Sequence, residues 1–332
     1  MVYKQKLAVL SGIVGFLALI YIISLVFEPE RMGRRNAAFT WLDPKTLDLV
    51  EGISISGPGN SVVVELVRKD NAWYVSHEGN EYPARQFRVD DFLGILTRRA
   101  AYPVRASTPA AHEGLGLTED AASRIVLTGP PARGGAVLLD LLLGQGDLTG
   151  QEIYLRTAGR NEVRSGENLF SGYISGSRTS WYNLRLFPES ESGQIDVSMV
   201  QRLTVYPPEP AGPEGGTPET QIFSREGRGW NFSGIAEAAG PDSAKVDSYI
   251  QGILNAEGDD FSSAARPEDP IFNDGRIVLE LEDGSIKTLK LGREDESNHR
   301  LATISGSSCV YSLAGWLSGR LFREASYFEV SD

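Results

Sequence analysis

Three histidines, a single cysteine and several clusters of carboxylates are the residues through which this chain could do chemistry. A general base needs an orienting carboxylate and a nucleophile within reach. His112 sits in the loop-like Ala111-His112-Glu113-Gly114-Leu115-Gly116-Leu117 without such partners, and His77 and His299 fall on strand patterns. All three read as surface or strand-face histidines. Cys309 has no second cysteine to pair with, and the histidines are too widely separated to complete a cysteine-based zinc site with it. Glu189 with Glu191, Glu257 with Asp259 and Asp260, and Glu294 with Asp295 and Glu296 are acidic loop clusters, but none has the spacing of a calcium loop, so they read as solvated surface. The glycine-rich Gly144-Gln145-Gly146-Asp147-Leu148-Thr149-Gly150 lacks both the G-x-G-x-x-G spacing and the lysine of a phosphate loop. It succeeds a strand rather than opening a helix, and reads as a turn. The sequence therefore assigns no catalytic, cofactor-binding or metal-ligating residue, and implies no cofactor.

Four residues stand out because they occur twice in register. Trp73 and Trp230 occupy equivalent short strands, and Asp90 and Asp247 equivalent amphipathic segments. An aspartate at a helix start accepts backbone N–H bonds and complements the helix dipole, so a structural capping role is expected for Asp90 and Asp247. The tryptophans read as core residues joining sheet to helix, as do Trp181 and the pair Trp316 with Leu317; a carbohydrate-stacking platform is the sharper alternative.

The elements that would position these residues also come in two copies. Asn71-Ala72-Trp73-Tyr74-Val75 precedes a helical pattern over residues 87–96, and Gly229-Trp230-Asn231-Phe232 precedes another over 245–254. Val89 with Val246, Phe92 with Tyr249 and Leu93 with Ile250 keep the offset of the tryptophans. Ser123-Arg124-Ile125-Val126-Leu127 matches Gly275-Arg276-Ile277-Val278-Leu279, and Leu142-Leu143-Gly144 matches Lys290-Leu291-Gly292. Tyr154-Leu155-Arg156 and Val163 correspond to His299-Arg300-Leu301 and Val310. Each copy then closes on a predicted helix, over 166–186 and 312–322. Alternation in Ile277-Val278-Leu279-Glu280-Leu281, with Glu282-Asp283-Gly284-Ser285 directly after it, predicts half-buried antiparallel strands joined by a hairpin turn. The expected fold is α+β: an N-terminal transmembrane helix, then two tandem repeats of an antiparallel sheet with helices. The boundaries are 1–36 for the tail and anchor, 37–192 for the first repeat and 193–332 for the second, with a polar join at 188–193. The Pro/Gly/Glu-rich residues 207–218 predict an extended mobile loop.

The anchor is read from a charge-free run, residues 7–27, that opens on Leu7 and closes on Phe27. At 1.5 Å per residue it would span a hydrocarbon core of about 30 Å. No small-residue cleavage pattern comes after it, which favours an uncleaved signal anchor over a signal peptide. Lys4 and Lys6 before the run and Arg31, Arg34 and Arg35 after it leave the orientation open. With 332 residues and 41% hydrophobic content, the remainder can form two cores; 44 acidic against 32 basic residues oppose nucleic-acid binding.

The Trp strand, the Val89-Asp90 helix, Leu115-Gly116-Leu117 before a strand, the Leu143-Gly144 strand end and Tyr154-Leu155 leading to Val163 together resemble domain-of-unknown-function family 4340, from Gly52 onward. The resemblance implies tandem units on a membrane anchor, associated with ABC transporters of the gliding-motility type. It carries no functional residues. It implies an inner-membrane, single-pass protein with its bulk on the periplasmic side, whose partners are membrane lipid and a transporter permease or another accessory protein. The function expected is that of a non-enzymatic accessory or scaffold subunit; an envelope hydrolase or a ligand-binding sensor with its site between the repeats is the alternative.

Overall fold

The computed structural model describes residues 38–130, 134–187, 194–208, 219–227, 229–233 and 240–329, together with Val14, Phe16, Leu17 and Tyr21. The chain divides into two compact units, Met1–Trp181 and Tyr182–Asp332.

In the first unit the strands are β1 (Ala38–Phe39), β2 (Gly52–Ser56), β3 (Val62–Lys69), β4 (Ala72–His77), β5 (Asn80–Pro83), β6 (Ala100–Ala101), β7 (Val104–Ala106), β8 (Ser123–Thr128), β9 (Val137–Gly146), β10 (Glu152–Thr157) and β11 (Val163–Glu167). β1 pairs with β6, and the other nine form one sheet in the order β5-β4-β3-β2-β8-β9-β10-β11-β7. Its core face arises from period-2 alternation: Ile53 pairs with Leu66 and Leu127, and Ile55 with Val64 and Ile125, all of them buried. Helix α1 (Gln86–Thr97) buries Val89, Phe92, Leu93 and Leu96, the i, i+3, i+4, i+7 stripe of an amphipathic helix. Two shorter helices, α2 (Ala110–Gly114) and α3 (Ser171–Ile174), complete the unit.

The second unit contains β12 (Val200–Tyr206), β13 (Gln221–Glu226), β14 (Gly229–Ser233), β15 (Asp260–Ser262), β16 (Gly275–Leu281), β17 (Ile286–Glu294), β18 (His299–Ile304) and β19 (Val310–Ala314). They form one sheet ordered β14-β13-β12-β16-β17-β18-β19-β15, which is the order of the first sheet without β5. Every pairing in both sheets is antiparallel. Helix α4 (Ser243–Leu254) buries Val246, Tyr249, Ile250, Ile253 and Leu254, and α5 (Gly315–Leu321) buries Leu317 and Leu321. Phe328 fills the space between Phe223, Phe232 and Tyr249, with ring centroids at 4.8, 5.7 and 5.1 Å.

These observations correct the α+β expectation. The described residues are mostly antiparallel sheet with few helices, and no helix among them is long and apolar enough to cross a membrane. An N-terminal transmembrane helix is thus not part of the described fold; of residues 7–27, only Val14, Phe16, Leu17 and Tyr21 are described, as exposed helical residues, and Leu7 and Phe27 lie outside the described set. The polar join 188–193 and most of the 207–218 loop also lie outside it. The closing helices are shorter than predicted. Residues 163–167 are strand, and after them come only α3 and one 3-10 turn, Arg178–Trp181, because Gly172, Gly176 and four serines between 171 and 180 are weak helix formers. Ser312 to Ala314 likewise belong to β19, and the second helix starts at Gly315. The division after Trp181 reflects packing: Leu186 N–H donates to Ala256 O at 2.9 Å, Gly258 N–H to Leu184 O at 2.9 Å, and Tyr182 meets the Phe261 ring at 5.0 Å.

Candidate functional site

A groove of about 720 Å³ lies in the second unit, between α4, α5 and the turn after α4. Its α4 wall exists because the inward stripe of that helix is apolar, which leaves Ser248, Gln251, Gly252 and Asn255 facing away from the core. Asp242 caps the helix, its carboxylate accepting from Ala244 N–H at 3.0 Å and Lys245 N–H at 3.3 Å. Gly252 has nothing within 4 Å of the place its Cβ would occupy, so the wall is open there.

Helix α5 supplies the opposite wall. The chain bends sharply out of β19 at Gly315, where a Cβ would lie 2.3 Å from Asn298 Nδ2; Gly315 N–H donates to Asn298 O at 2.8 Å and Ala314 N–H to the Asp259 carboxylate. With Leu317 and Leu321 turned inward, the other stripe, Trp316 and Arg320, faces the groove, and the Trp316 side chain is left 58% exposed. Beyond the helix, Arg323 and Tyr327 extend the same wall. The Arg320 guanidinium stands 5.7 Å from the Trp316 ring centroid and that of Arg323 5.0 Å from Tyr327, and neither arginine forms an ion pair among the described residues. Beneath the groove, Tyr249 donates its hydroxyl to Leu321 O; burial pushes its pKa well up, so it is a neutral structural donor. Asn255 Oδ1 accepts from Arg185 at 3.2 Å, which leaves its Nδ2 directed elsewhere. The groove thus combines ring faces, amides, the guanidinium groups of Arg320 and Arg323 and the carboxylates of Glu257 and Asp259.

The residues singled out in the sequence are placed differently. Trp73 and Trp230 are core residues, 4% and 6% exposed, and Trp181 is fully buried; Trp316 is not, which corrects its reading as core. Asp90 and Asp247 do not cap helices. Asp90 is the fifth residue of α1, whose N-cap is Arg85, and it is exposed; Asp247 is the fifth of α4, where Asp242 is the cap. Asp247 Oδ1 instead accepts from Trp230 Nε1 at 2.8 Å and lies 3.6 Å from Arg225, whose guanidinium stacks 4.5 Å over the Trp230 ring. Arg68 and Trp73 form the same cross-strand pair in the first sheet as Arg225 and Trp230 in the second. The backbone N–H of each tryptophan is also held by the first residue of the next helix: Trp73 by Gln86 Oε1 at 2.9 Å, Trp230 by Ser243 Oγ at 3.2 Å.

His112 is buried on α2, with Nε2 3.2 Å from Asn161 O, so it is neither in a loop nor on the surface. The buried Cys309 thiol has its pKa pushed up by burial, the wrong direction for a nucleophile. Gly144 and Gly146 end β9, and Asp147 folds the turn by accepting from Thr149 Oγ1 and from Glu152 N–H at 3.0 Å, which holds its carboxyl below the usual range. Glu189 and Glu191 lie outside the described residues. The other acidic clusters are engaged locally: Asp260 with Phe261 N–H, Glu294 with Arg300 at 3.2 Å, and Asp295 with the N–H groups of Ser297 and His299. Among the described residues no group of three histidines, cysteines or carboxylates could hold a metal ion. Pairing Trp316 with Leu317 hides the groove in the sequence; the i+4 neighbour Arg320 is the signal that marks the Trp316 stripe as the wet one. Compared with protein-family models, with curated proteins and with solved structures, the chain finds no match.

Proposed function

We propose that this protein is a membrane-associated, non-enzymatic accessory subunit of a bacterial cell envelope, acting beside an ABC transporter through contact with its permease or with another accessory protein. The carrying observation is the use made of the residues common to both units. The Arg–Trp pair occupies the same ladder position in each sheet, and in the second unit Arg225, Trp230 and Asp247 close on one another. The tryptophan of that pair is buried in both units, which suits a part in the folding of each, whereas a reaction needs one asymmetric set aimed at a substrate. The family resemblance favours both the inner membrane and the transporter.

The test is affinity purification of the full chain from native membranes in mild detergent, beside a version lacking residues 1–35, with the retained proteins identified by mass spectrometry. A permease and an ATPase are expected in stoichiometric amounts with the full chain, and the shortened version reports which part makes the contact. A full chain that returns without any stoichiometric partner refutes the reading.

A further inference from the structure

We infer that two copies of this chain pair edge to edge through β14, as antiparallel strands about a two-fold axis at Asn231, joining their two eight-stranded sheets into one. The inference goes beyond the accessory role, and neither depends on the other. The two units end their sheets differently on this side. In the first, β5 covers β4 and closes the sheet with Pro83, which has no N–H, and with Glu81, whose carboxylate meets Lys69 at 2.5 Å. Proline and charge are the devices that blunt a sheet edge against pairing. In the second, the sheet ends on β14, Gly229-Trp230-Asn231-Phe232-Ser233, which has neither.

The first unit shows which backbone groups this leaves. There Trp73 N–H donates to Gln86 Oε1, and Trp73 O accepts from Ala84 N–H at 2.9 Å and Gln86 Nε2 at 3.0 Å, all on the side away from β3. Val75, two residues on, faces the same way and pairs with the buried Tyr82 of β5. By the same alternation Trp230 and Phe232 turn their N–H and C=O groups away from β13. Ser243 Oγ holds the Trp230 N–H, but the residue in the place of Ala84 is Pro241, which has no N–H to give. In the place of Tyr82 the sequence has Ala239, a residue type depleted in strands. Among the described residues nothing pairs with this edge, which leaves Trp230 O and both backbone groups of Phe232 for an incoming strand.

The strand that fits is a second β14. Its side chains alternate, Trp230 and Phe232 buried on the core face and Asn231 exposed on the other. Reversed, the run still reads aromatic, polar, aromatic. A two-fold axis at Asn231 therefore sets Trp230 of each copy beside Phe232 of the other on the core face, and Asn231 against itself on the outer face. Phe232 N–H of each copy then donates to Trp230 O of the other, and Asn231 falls at a non-hydrogen-bonded pair, where Cα atoms approach to about 4.5 Å. The formal net charge of −12 opposes association at long range, but that field is screened beyond about 8 Å at physiological ionic strength. β14 itself carries no charge, and the carboxylate of Glu226, on β13, accepts from Asn231 Nδ2 at 3.5 Å.

The experiment measures the mass of the full chain in mild detergent by light scattering over a concentration series. A dimer is expected. Under mild oxidation N231C should form a disulfide-linked dimer, because its two thiols meet at a Cα separation that a disulfide spans. The unaltered chain, whose one cysteine is the buried Cys309, and D90C, exposed on α1, should form none. N231D and N231K each set like charges face to face and should weaken the dimer by about fivefold, while an equimolar mixture of the two restores it. Asn231 is exposed, so both variants should keep the circular dichroism of the unaltered chain, which shows that they are folded. A monomer at every concentration overturns the inference. So does a dimer that N231C fails to cross-link, or one that is no tighter in the mixture than in N231D and N231K alone, since such a dimer is held by another part of the chain.

Discussion

Replacing Asp247 by alanine should destabilise the second unit by about 2 kcal/mol, while the same change at its counterpart Asp90 should leave the first unit within about 0.5 kcal/mol of its starting stability. Both aspartates sit fifth in a twelve-residue helix, so the gain in helix propensity on going to alanine is common to the two and cancels in the comparison. What differs is the partner. Asp247 takes the indole N–H of Trp230, a side chain only 6% exposed, at 2.8 Å; removing the acceptor leaves a buried donor without a mate, and hydrogen bonds to charged groups are worth roughly 1.5–3 kcal/mol. The ion pair with Arg225 adds little. Asp247 is 46% exposed and 3.6 Å away, a class worth roughly 0–1 kcal/mol, and Arg225 keeps the carbonyls of Val200 and Val197 at 3.1 and 2.9 Å. Asp90 is exposed, and no hydrogen bond or ion pair involves it among the described residues. Two units need not unfold together, so amide exchange read separately on β14 and β4 is the suitable assay, with urea melts in support. D247N should retain about half the contribution, because an amide oxygen still accepts from the indole but without the charge. Equal effects of D247A and D90A, or unchanged protection of β14 in D247A, refute the role given to the Asp247–Trp230 bond.

Two glycines in the first unit should respond in opposite directions. A Cβ at Gly144 would lie 2.2 Å from Leu115 O and 2.8 Å from Leu117 Cγ, so G144A should lower stability by about 1–3 kcal/mol. Gly94, inside α1 with open space around it, should give a gain of about 1 kcal/mol as G94A; thermal melts of the two variants decide both. Tyr173 has its pKa raised to about 12 by burial and by its hydrogen bond to Asp91. The group is neutral when protonated, so its contribution to stability is complete below the ordinary tyrosine value of 10.0 and is lost as pH rises towards 12, where the unfolded chain has already ionised. In an absorbance titration of tyrosinate, Y173F should remove one tyrosine's signal from the region near pH 12, and an unaltered titration contradicts the assignment.

Elements governed by neighbours along the chain were legible in the sequence. Alternation in residues 277–281 and a glycine at the turn, Gly284 with φ of 80°, specify the β16–β17 hairpin locally, since only a residue without Cβ adopts that backbone freely. The apolar stripes of α1 and α4 are equally local. The capping aspartate was misplaced: the sequence points to Asp247, whereas the cap is Asp242, five residues earlier, next to Ser243, the residue that ties the helix to Trp230 as Gln86 ties α1 to Trp73. The features hidden from the sequence depend on residues distant along the chain. Gly166 pairs with Ile153 in the sheet and has to be glycine because its Cβ position is taken by the Tyr102 ring, 2.3 Å away, and nothing near Gly166 in sequence records that approach. His112 is buried for the same kind of reason, by the carbonyl of Asn161 across 49 residues.

The groove lies at the limit between the two cases. A helix of seven residues can turn only one stripe inward, and Leu317–Leu321 competes with Trp316–Arg320 for that place. Burying the second stripe would require a guanidinium to lose its hydration without a carboxylate partner, a cost of several kcal/mol that the larger area of the indole cannot offset. Arg320 therefore determines that Trp316 faces water, and the tryptophan's exposure is dictated by its neighbour four residues on. On these grounds R320L should draw the two stripes into competition, shifting Trp316 fluorescence to the blue and reducing its quenching by iodide, while R320K, which keeps a charge at that position, should leave both unchanged. If R320L leaves Trp316 as accessible as before, the orientation of α5 is set by the Gly315–Asn298 contact rather than by the charge.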